Sequence, residues 1–294
     1  MNKFLIVTGG AGFIGSNLIK YLIKNTNYKI LSVDDYSSGT KKNEIKNYRV
    51  KYIKGNTIEI EKLLKRYKKK IKTVFHFGEF SRIFQSFQNF NQCFNSNSIG
   101  SNAVFKFCLE NKIKLIYSAT SASLGNKGED KNLSPYAFSK AKNLEMLENL
   151  KKWFNFKFEV IYFYNVYGPN QISRGKMATV IGIFENQLKK NMALTVVKPG
   201  NQSRRFTHVE DTINTCIEAW KTNKCRHYSI SSKKSYTIYQ VARMFSNHIK
   251  FLPPRVGERY ASALTKISMS NKIYKRYGKI DLKNYIRNAK MNIN

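Results

Sequence analysis

The chain has 294 residues, 42% of them hydrophobic and 14% aromatic, a composition that suits a folded globular core and excludes intrinsic disorder. No apolar run approaches the roughly 20 residues needed to cross a bilayer. The formal net charge of +34 comes from Lys and Arg spread along the whole length, with no basic tail or repeat. It therefore reads as compositional bias: a nucleic-acid partner is not expected, although a phosphate-bearing ligand would be drawn to such a surface.

In chain order, the first apolar stretch, Phe4-Leu5-Ile6-Val7, leads into a glycine-rich turn and not into a cleavage site, so the chain reads as cytoplasmic. Buried parallel strands are predicted over 4–7, 30–33, 50–53, 73–77, 115–118 and 160–163, with amphipathic helices over 13–24, 58–67, 90–110 and 136–153. That alternation is the pattern of a doubly wound, Rossmann-type α/β sheet. After Gly168-Pro169 the rhythm loosens, with helices predicted over 177–190, 209–220 and 237–247. No glycine- or serine-rich linker separates the parts. The expected organisation is a dinucleotide-binding domain over 1–165 and a smaller substrate lobe over 166–294, with some interleaving and a cleft between them. Cys93, Cys108, Cys216 and Cys225 form no CxxC pair and have no His cluster nearby, which predicts free thiols and no metal site.

The turn Thr8-Gly9-Gly10-Ala11-Gly12-Phe13-Ile14-Gly15 joins the first strand to the first helix. A dinucleotide pyrophosphate needs close backbone approach at a helix N-terminus; glycine permits that approach, and the helix dipole favours the anion. Gly9, Gly12 and Gly15 hold the spaced positions, and Phe13 and Ile14 open the helix. Asp34 ends the second strand, where a carboxylate accepts hydrogen bonds from adenine-ribose hydroxyls and repels the extra phosphate of NADP. Asp35 can share that task, whereas Lys41 and Lys42 can accommodate the phosphate. NAD is the expected cofactor.

Tyr136 and Lys140, four apart, share one face of the helix that follows Ser134-Pro135. Free tyrosine titrates near 10 and is a poor base; an adjacent ammonium and an oxidised nicotinamide both favour the phenolate. Thr120 ends the fifth strand, at the edge where ligands bind in such sheets, and is placed to hydrogen-bond the reacting oxygen.

On these motifs the chain resembles the extended short-chain dehydrogenase/reductases, the NAD-dependent sugar-nucleotide epimerase/dehydratase family. The resemblance runs over nearly the whole length: the glycine turn, Asp34, His76, Asn97, Thr120, Tyr136, Lys140, Asn165-Val166-Tyr167-Gly168-Pro169, Arg204 within Ser203–Asp211, and Arg255-Val256-Gly257-Glu258. It implies a catalytic set of Thr120, Tyr136 and Lys140. It implies cofactor contacts from Gly9, Gly12, Phe13, Ile14, Gly15, Asp34, Asn56, Asn97, Tyr136 and Lys140. It implies substrate contacts from Ser81, Asn165, Lys176, Arg204 and Arg255, the two arginines gripping a nucleotide diphosphate. Two positions depart from the family pattern: Arg205 stands where Asp is common, and Asn56 where an adenine-binding Asp is usual. The 16-residue step from Thr120 to Tyr136 is short and predicts an open sugar pocket.

Dehydrating members place an acidic pair after the catalytic threonine; here Ser121 and Ala122 follow it, which favours epimerisation. The general resemblance is to UDP-glucose 4-epimerases. The stretch from Tyr164 to Pro169 and on to Ala178 is similar to ADP-heptose 6-epimerases, with Arg174 where a lysine base is expected and Lys176 two residues on. A sugar-nucleotide dehydratase/reductase and a non-catalytic RNA-binding relative are the remaining alternatives. A homodimer is expected through the helices over 90–110 and 136–153, whose aromatic faces carry Phe94, Phe105, Phe107, Phe138 and Trp153.

Overall fold

A computed structural model describes residues 3–124, 132–257 and 273–292 of the chain. The first half alternates as the apolar pattern demands: β1 (Phe4–Thr8), α1 (Phe13–Asn25), β2 (Lys29–Asp34), β3 (Val50–Lys54), α2 (Ile60–Leu64) and β4 (Ile71–His76). Next come two short helices, α3 (Ile83–Gln88) and α4 (Phe90–Phe94), a π-helical turn over Asn95–Gly100, and α5 (Ser101–Glu110). The half closes with β5 (Lys114–Thr120), α6 (Ser121–Leu124), α7 (Pro135–Phe154) and β6 (Phe158–Phe163). The second half holds β7 (Val166–Tyr167), α8 (Val180–Lys189), β8 (Leu194–Val197), β9 (Ser203–Arg204), β10 (Thr207–His208) and α9 (Val209–Lys221). It ends with β11 (His227–Ser231), β12 (Tyr236–Thr237), α10 (Ile238–Phe245), β13 (Ile249–Leu252), β14 (Ile273–Tyr277) and α11 (Leu282–Met291).

The main sheet is parallel throughout, in the order β14-β11-β6-β5-β4-β1-β2-β3. Buried on both faces, its inner strands are apolar at nearly every position: Leu5, Ile6 and Val7 are fully enclosed, each burial worth roughly 1.5–3 kcal/mol. One face packs under α2, α5 and α7 through Leu64, Phe105 and Leu147; the other packs under α1 and α9 through Leu18 and Ile213. The strand order reverses between β1 and β4, which opens a crevice at their carboxyl ends. A third core, formed by α8, β8, α10 and α11 around Phe184 and Phe245, makes the smaller lobe.

That lobe does not hold the whole second half. β11 and β14 extend the first-half sheet beside β6, and α9 covers one of its faces. A local pattern cannot reveal this, because those strands are five ordinary residues each, whose neighbours lie far away in sequence. The single helix expected over 90–110 is divided. Its middle widens into the π turn, where the Asn97 carbonyl accepts a hydrogen bond from Asn143 Nδ2 at 2.6 Å. Part of the expected aromatic face is also core. Phe105 and Phe107 are each 1% exposed, on the side of α5 that faces the sheet, whereas Phe94, Phe138 and Trp153 are open to solvent together with Phe90 and Phe154. Among the described residues no helix is long and apolar enough to cross a membrane. All four cysteines are free.

Candidate active site

A cavity of about 500 Å³ runs from the glycine turn, past the ends of β4 and β5, to the smaller lobe. Among the residues expected from sequence, Gly9, Gly12, Phe13, Ile14, Gly15, Asp34, Asn56, Ser81, Thr120, Tyr136, Lys140, Asn165, Arg204 and Arg255 line it. Asn97 and Lys176 do not. Asn97 is fully buried one layer back, where its side chain accepts from Phe80 N at 2.7 Å and donates to Phe80 O at 3.0 Å; it holds the β4–α3 loop and presents nothing to the cavity. Lys176 is exposed on the turn before α8.

At the first end, the helix α1 begins at Gly12 with no side-chain cap and no acidic residue in its first turn. Its leading N–H groups are thus left for an anion from the pocket. Gly9 has φ +71°, and a Cβ there would come within 2.8 Å of Gly78 N; a Cβ on Gly15 would lie 2.1 Å from the Gly9 carbonyl oxygen. The turn can be this tight only without side chains at those positions. Asp34 is buried and accepts from Ala11 N and Tyr36 N, each at 2.8 Å. Burial raises its carboxyl above the usual range, opposed by those two bonds. Asn56 sits at the mouth, accepting from Ile58 N at 3.0 Å and donating to Asp35 at 3.4 Å.

At the other end, Tyr136 is buried in the first turn of α7, which Ser134 caps by accepting from Ala137 N at 3.1 Å. The Thr120 hydroxyl stands beside its phenol. Burial pushes the phenol up to about 12 and Glu79 adds to this, while the Thr120 hydroxyl and the Arg82 guanidinium work against it. Lys140, expected to lower this phenol, is ion-paired with Glu79.

Glu79 is one of two residues of the site that sequence reasoning missed. Its side chain is 2% exposed. One carboxylate oxygen accepts from Ser101 Oγ at 2.8 Å and Tyr117 OH at 3.0 Å, the other from Lys140 Nζ. Lys140 also donates to Ser118 O and lies 4.7 Å from the Tyr117 ring centroid. Behind them, Ser101 Oγ stands 3.0 Å from His76 Nε2, and His76 Nδ1 stands 2.7 Å from Thr8 Oγ1. Ser101 has one proton and gives it to Glu79, so His76 donates from Nε2 and accepts from Thr8 at Nδ1. Burial drops His76 to about 4, which keeps it neutral. The available signal was a charge flanked by two phenylalanines, Phe77-Gly78-Glu79-Phe80, just past a buried strand. Arg82, also missed, lines the cavity and ties the two halves by donating to Ser81 O at 2.8 Å and to Met177 O.

On the lobe side, Arg204 lies on β9, paired antiparallel with β12, and Arg255 stacks on Phe84 with its guanidinium carbon 5.4 Å from the ring centroid. Asn165 has φ +35° and donates to Arg205 O at 3.1 Å. Among the described residues no group of His, Cys, Asp or Glu could hold a metal ion.

The match to known proteins agrees with this geometry. The chain is 26% identical over 274 residues to a putative UDP-glucose 4-epimerase of Methanocaldococcus jannaschii, covering 87% of this chain and 88% of the relative. It is 29% identical over 223 residues to an ADP-L-glycero-D-manno-heptose-6-epimerase of Brachyspira hyodysenteriae, covering 71% and 70%. Its fold superposes on the UDP-N-acetylglucosamine 4-epimerase of Methanobrevibacter ruminantium, solved with UDP-N-acetylmuramic acid, with a TM-score of 0.83 and 26% identity over 99% and 97% of the two chains. Residues 5–231 match the model of the NAD dependent epimerase/dehydratase family, and the chain is a member of that family, with NAD as its cofactor.

Proposed function

We propose that this protein epimerises a nucleotide-activated sugar at C4, with a UDP-hexose as substrate. The observation that carries the reading is Thr120 set beside the Tyr136 phenol, in a pocket whose lining acids, among the described residues, are all committed elsewhere. Asp34 and Asp35 belong to the glycine-turn end, Glu79 is bound to Lys140, and Ser121 and Ala122 follow Thr120. Elimination of water across a sugar ring needs an acid and a base at the ring; epimerisation needs one hydroxyl proton removed and returned. Tyr136 takes that proton, and Thr120 holds the reacting oxygen and orients the phenol. When bound, NAD supplies hydride acceptance and return at the carbinol carbon. The uncapped start of α1 with Gly9, Gly12 and Gly15 would hold its pyrophosphate, and Asp34 its ribose.

Arg204 and Arg255 fit a diphosphate, whose oxygens suit the guanidinium fork. The heptose 6-epimerase reading is weaker, because it calls for a second base near 174–176; Lys176 is exposed outside the cavity lining, and Arg174 is bound to Asn186 at 2.9 Å. The exposed aromatics of α4 and α7 (Phe90, Phe94, Phe138 and Trp153) support a homodimer, and we take the protein as cytoplasmic. Incubation with UDP-, GDP- and ADP-sugars, followed by proton NMR of the anomeric region, tests the reading. A new signal from the C4 epimer of a UDP-hexose is the expected result. Turnover confined to ADP-heptose, or release of a 4-keto-6-deoxy product, overturns it.

A further inference from the structure

We propose that Glu79 is a positioning residue of this active site, whose buried carboxylate keeps Lys140 an ammonium and pins it against β5. The geometry leaves that task to Glu79. Lys140 is 4% exposed at its side chain, and among the described residues Glu79 is the carboxylate within ion-pair distance of it. The other groups around the pair are neutral. His76, from β4, is neutral by burial and by its bonds to Thr8 and Ser101. Tyr117, from β5, is held protonated by burial and by donating to Glu79. Cys93, from α4, is pushed up to about 11 and stays a thiol. Tyr136, on α7 itself, stays a phenol in the resting protein. The charged residues of α5, Lys106 and Glu110, pair with each other on the surface at 3.8 Å. Arg82, ahead of α3, bears on Tyr136.

A buried ammonium without a counter-charge gives up its proton. Burial lowers Lys140, and Glu79 is the main opposing influence. The carboxylate is itself fixed by Ser101, Tyr117 and the weaker contacts of Ser118 and Asn143, at 3.4 Å each. Its two oxygens are thus held in place from several sides. Lys140 is thereby locked between Glu79 and Ser118 O. Among the described cations that line the cavity, Arg82 favours the ionised form of the phenol.

This inference rests on the reading of Tyr136 and Lys140 as working residues; that reading fails if Tyr136→Phe turns over normally, whereas this one is tested on Lys140 without substrate. The NAD-bound protein is labelled with lysine ε-15N, and the Lys140 resonance is identified by its loss in Lys140→Met. In the wild type the signal should remain that of an ammonium across the neutral range. In Glu79→Gln its midpoint should fall by about 1–3 pH units, the span over which an opposite charge acts at contact. The alkaline limb of the kcat profile should move down with it, with KM little changed. Glu79→Asp keeps the charge and should stay nearer to wild type. A Glu79→Gln protein with the wild-type Lys140 titration and pH profile overturns the proposal, as does a Glu79→Asp protein shifted equally far. Should Glu79→Gln fail to fold, the double variant Glu79→Gln/Lys140→Met should recover melting temperature and soluble yield, because the stranded charge is gone. A double variant no better than the single one overturns the proposal as well.

Discussion

At the glycine-turn end the pocket wall is backbone. Bare N–H groups of α1, two glycines that admit no Cβ and a carboxylate held by two amides make a rigid, preformed anion cradle. At the reacting end Thr120, Tyr136 and Lys140 line the cavity, and a buried run of hydrogen-bonded groups leads from Lys140, which also meets the Ser118 carbonyl, through Glu79, Ser101 and His76 to Thr8. The first end binds through geometry that any sequence with those glycines reproduces. The second works through charges that balance one another, so each single change there redistributes the rest.

The difference predicts where substitutions cost most. Tyr136→Phe removes the one titrating oxygen and leaves the ring packed among Phe80, Ala122 and Ala137. Turnover on a UDP-hexose should fall by about 10²–10⁴, the usual share of a general base, with melting temperature and bound NAD unchanged. Near-normal turnover would sink the assignment of Tyr136.

Gly15→Ala attacks the other end. Its Cβ would lie 2.1 Å from a carbonyl that belongs to the turn itself, so the backbone must shift. NAD affinity should fall by on the order of 10², about 2.7 kcal/mol, as read by fluorescence titration. A variant that keeps wild-type affinity would show that the turn does not shape the cofactor site.

The same contrast explains what was legible in sequence. The cofactor end is written in consecutive residues: eight positions hold a strand end, a turn and a helix start, so periodicity and glycine spacing suffice. The positions of the first six strands could be read for the same reason. The reacting end is assembled across the chain, with 61 residues between Glu79 and Lys140 and 68 between Thr8 and His76. Spacing arguments found Tyr136 and Lys140 because they share one helix, and found Thr120 by its place at a strand end. They could not find Glu79, whose partners come from β5, α5 and α7. The placement of β11 and β14 was hidden likewise, since nothing within a short parallel strand names its neighbour.

Protonation separates the two ends further. His76 binds a proton below about 6.5 when unfolded but only near 4 when folded. Between those values the unfolded chain carries more protons, so stability from His76 is complete above about 6.5 and is lost as pH falls toward 4, by up to about 3 kcal/mol. Asp34 has the opposite sign: its raised carboxyl favours the folded state at low pH and loses that contribution as pH rises through the folded value. Melting temperature measured against pH should therefore fall between about 6.5 and 4, and His76→Asn should flatten that fall. A His76→Asn protein with the wild-type slope would show that the loss originates elsewhere.

The smallest effect is expected at Thr120, and it tests the reacting end most finely. Thr120 Oγ1 meets the Tyr136 phenol and accepts from Ala122 N at 3.2 Å. Thr120→Val keeps the shape and removes the hydroxyl, yet leaves the oxygen that takes the proton. A neutral hydrogen bond is worth about 0.5–1.5 kcal/mol, so kcat should fall about tenfold. That is well short of the loss in Tyr136→Phe, and KM should change little because the diphosphate grip lies in the other lobe. Thr120 also holds the phenol down: its hydroxyl opposes the burial that pushes Tyr136 up. Its removal should shift the acidic limb of kcat/KM to higher pH, since the phenol then releases its proton later. Thr120→Ser retains the hydroxyl and should restore both rate and pH profile. A valine variant as slow as Tyr136→Phe would make Thr120 the primary proton carrier, and one with wild-type rate and an unmoved acidic limb would remove it from the reacting set.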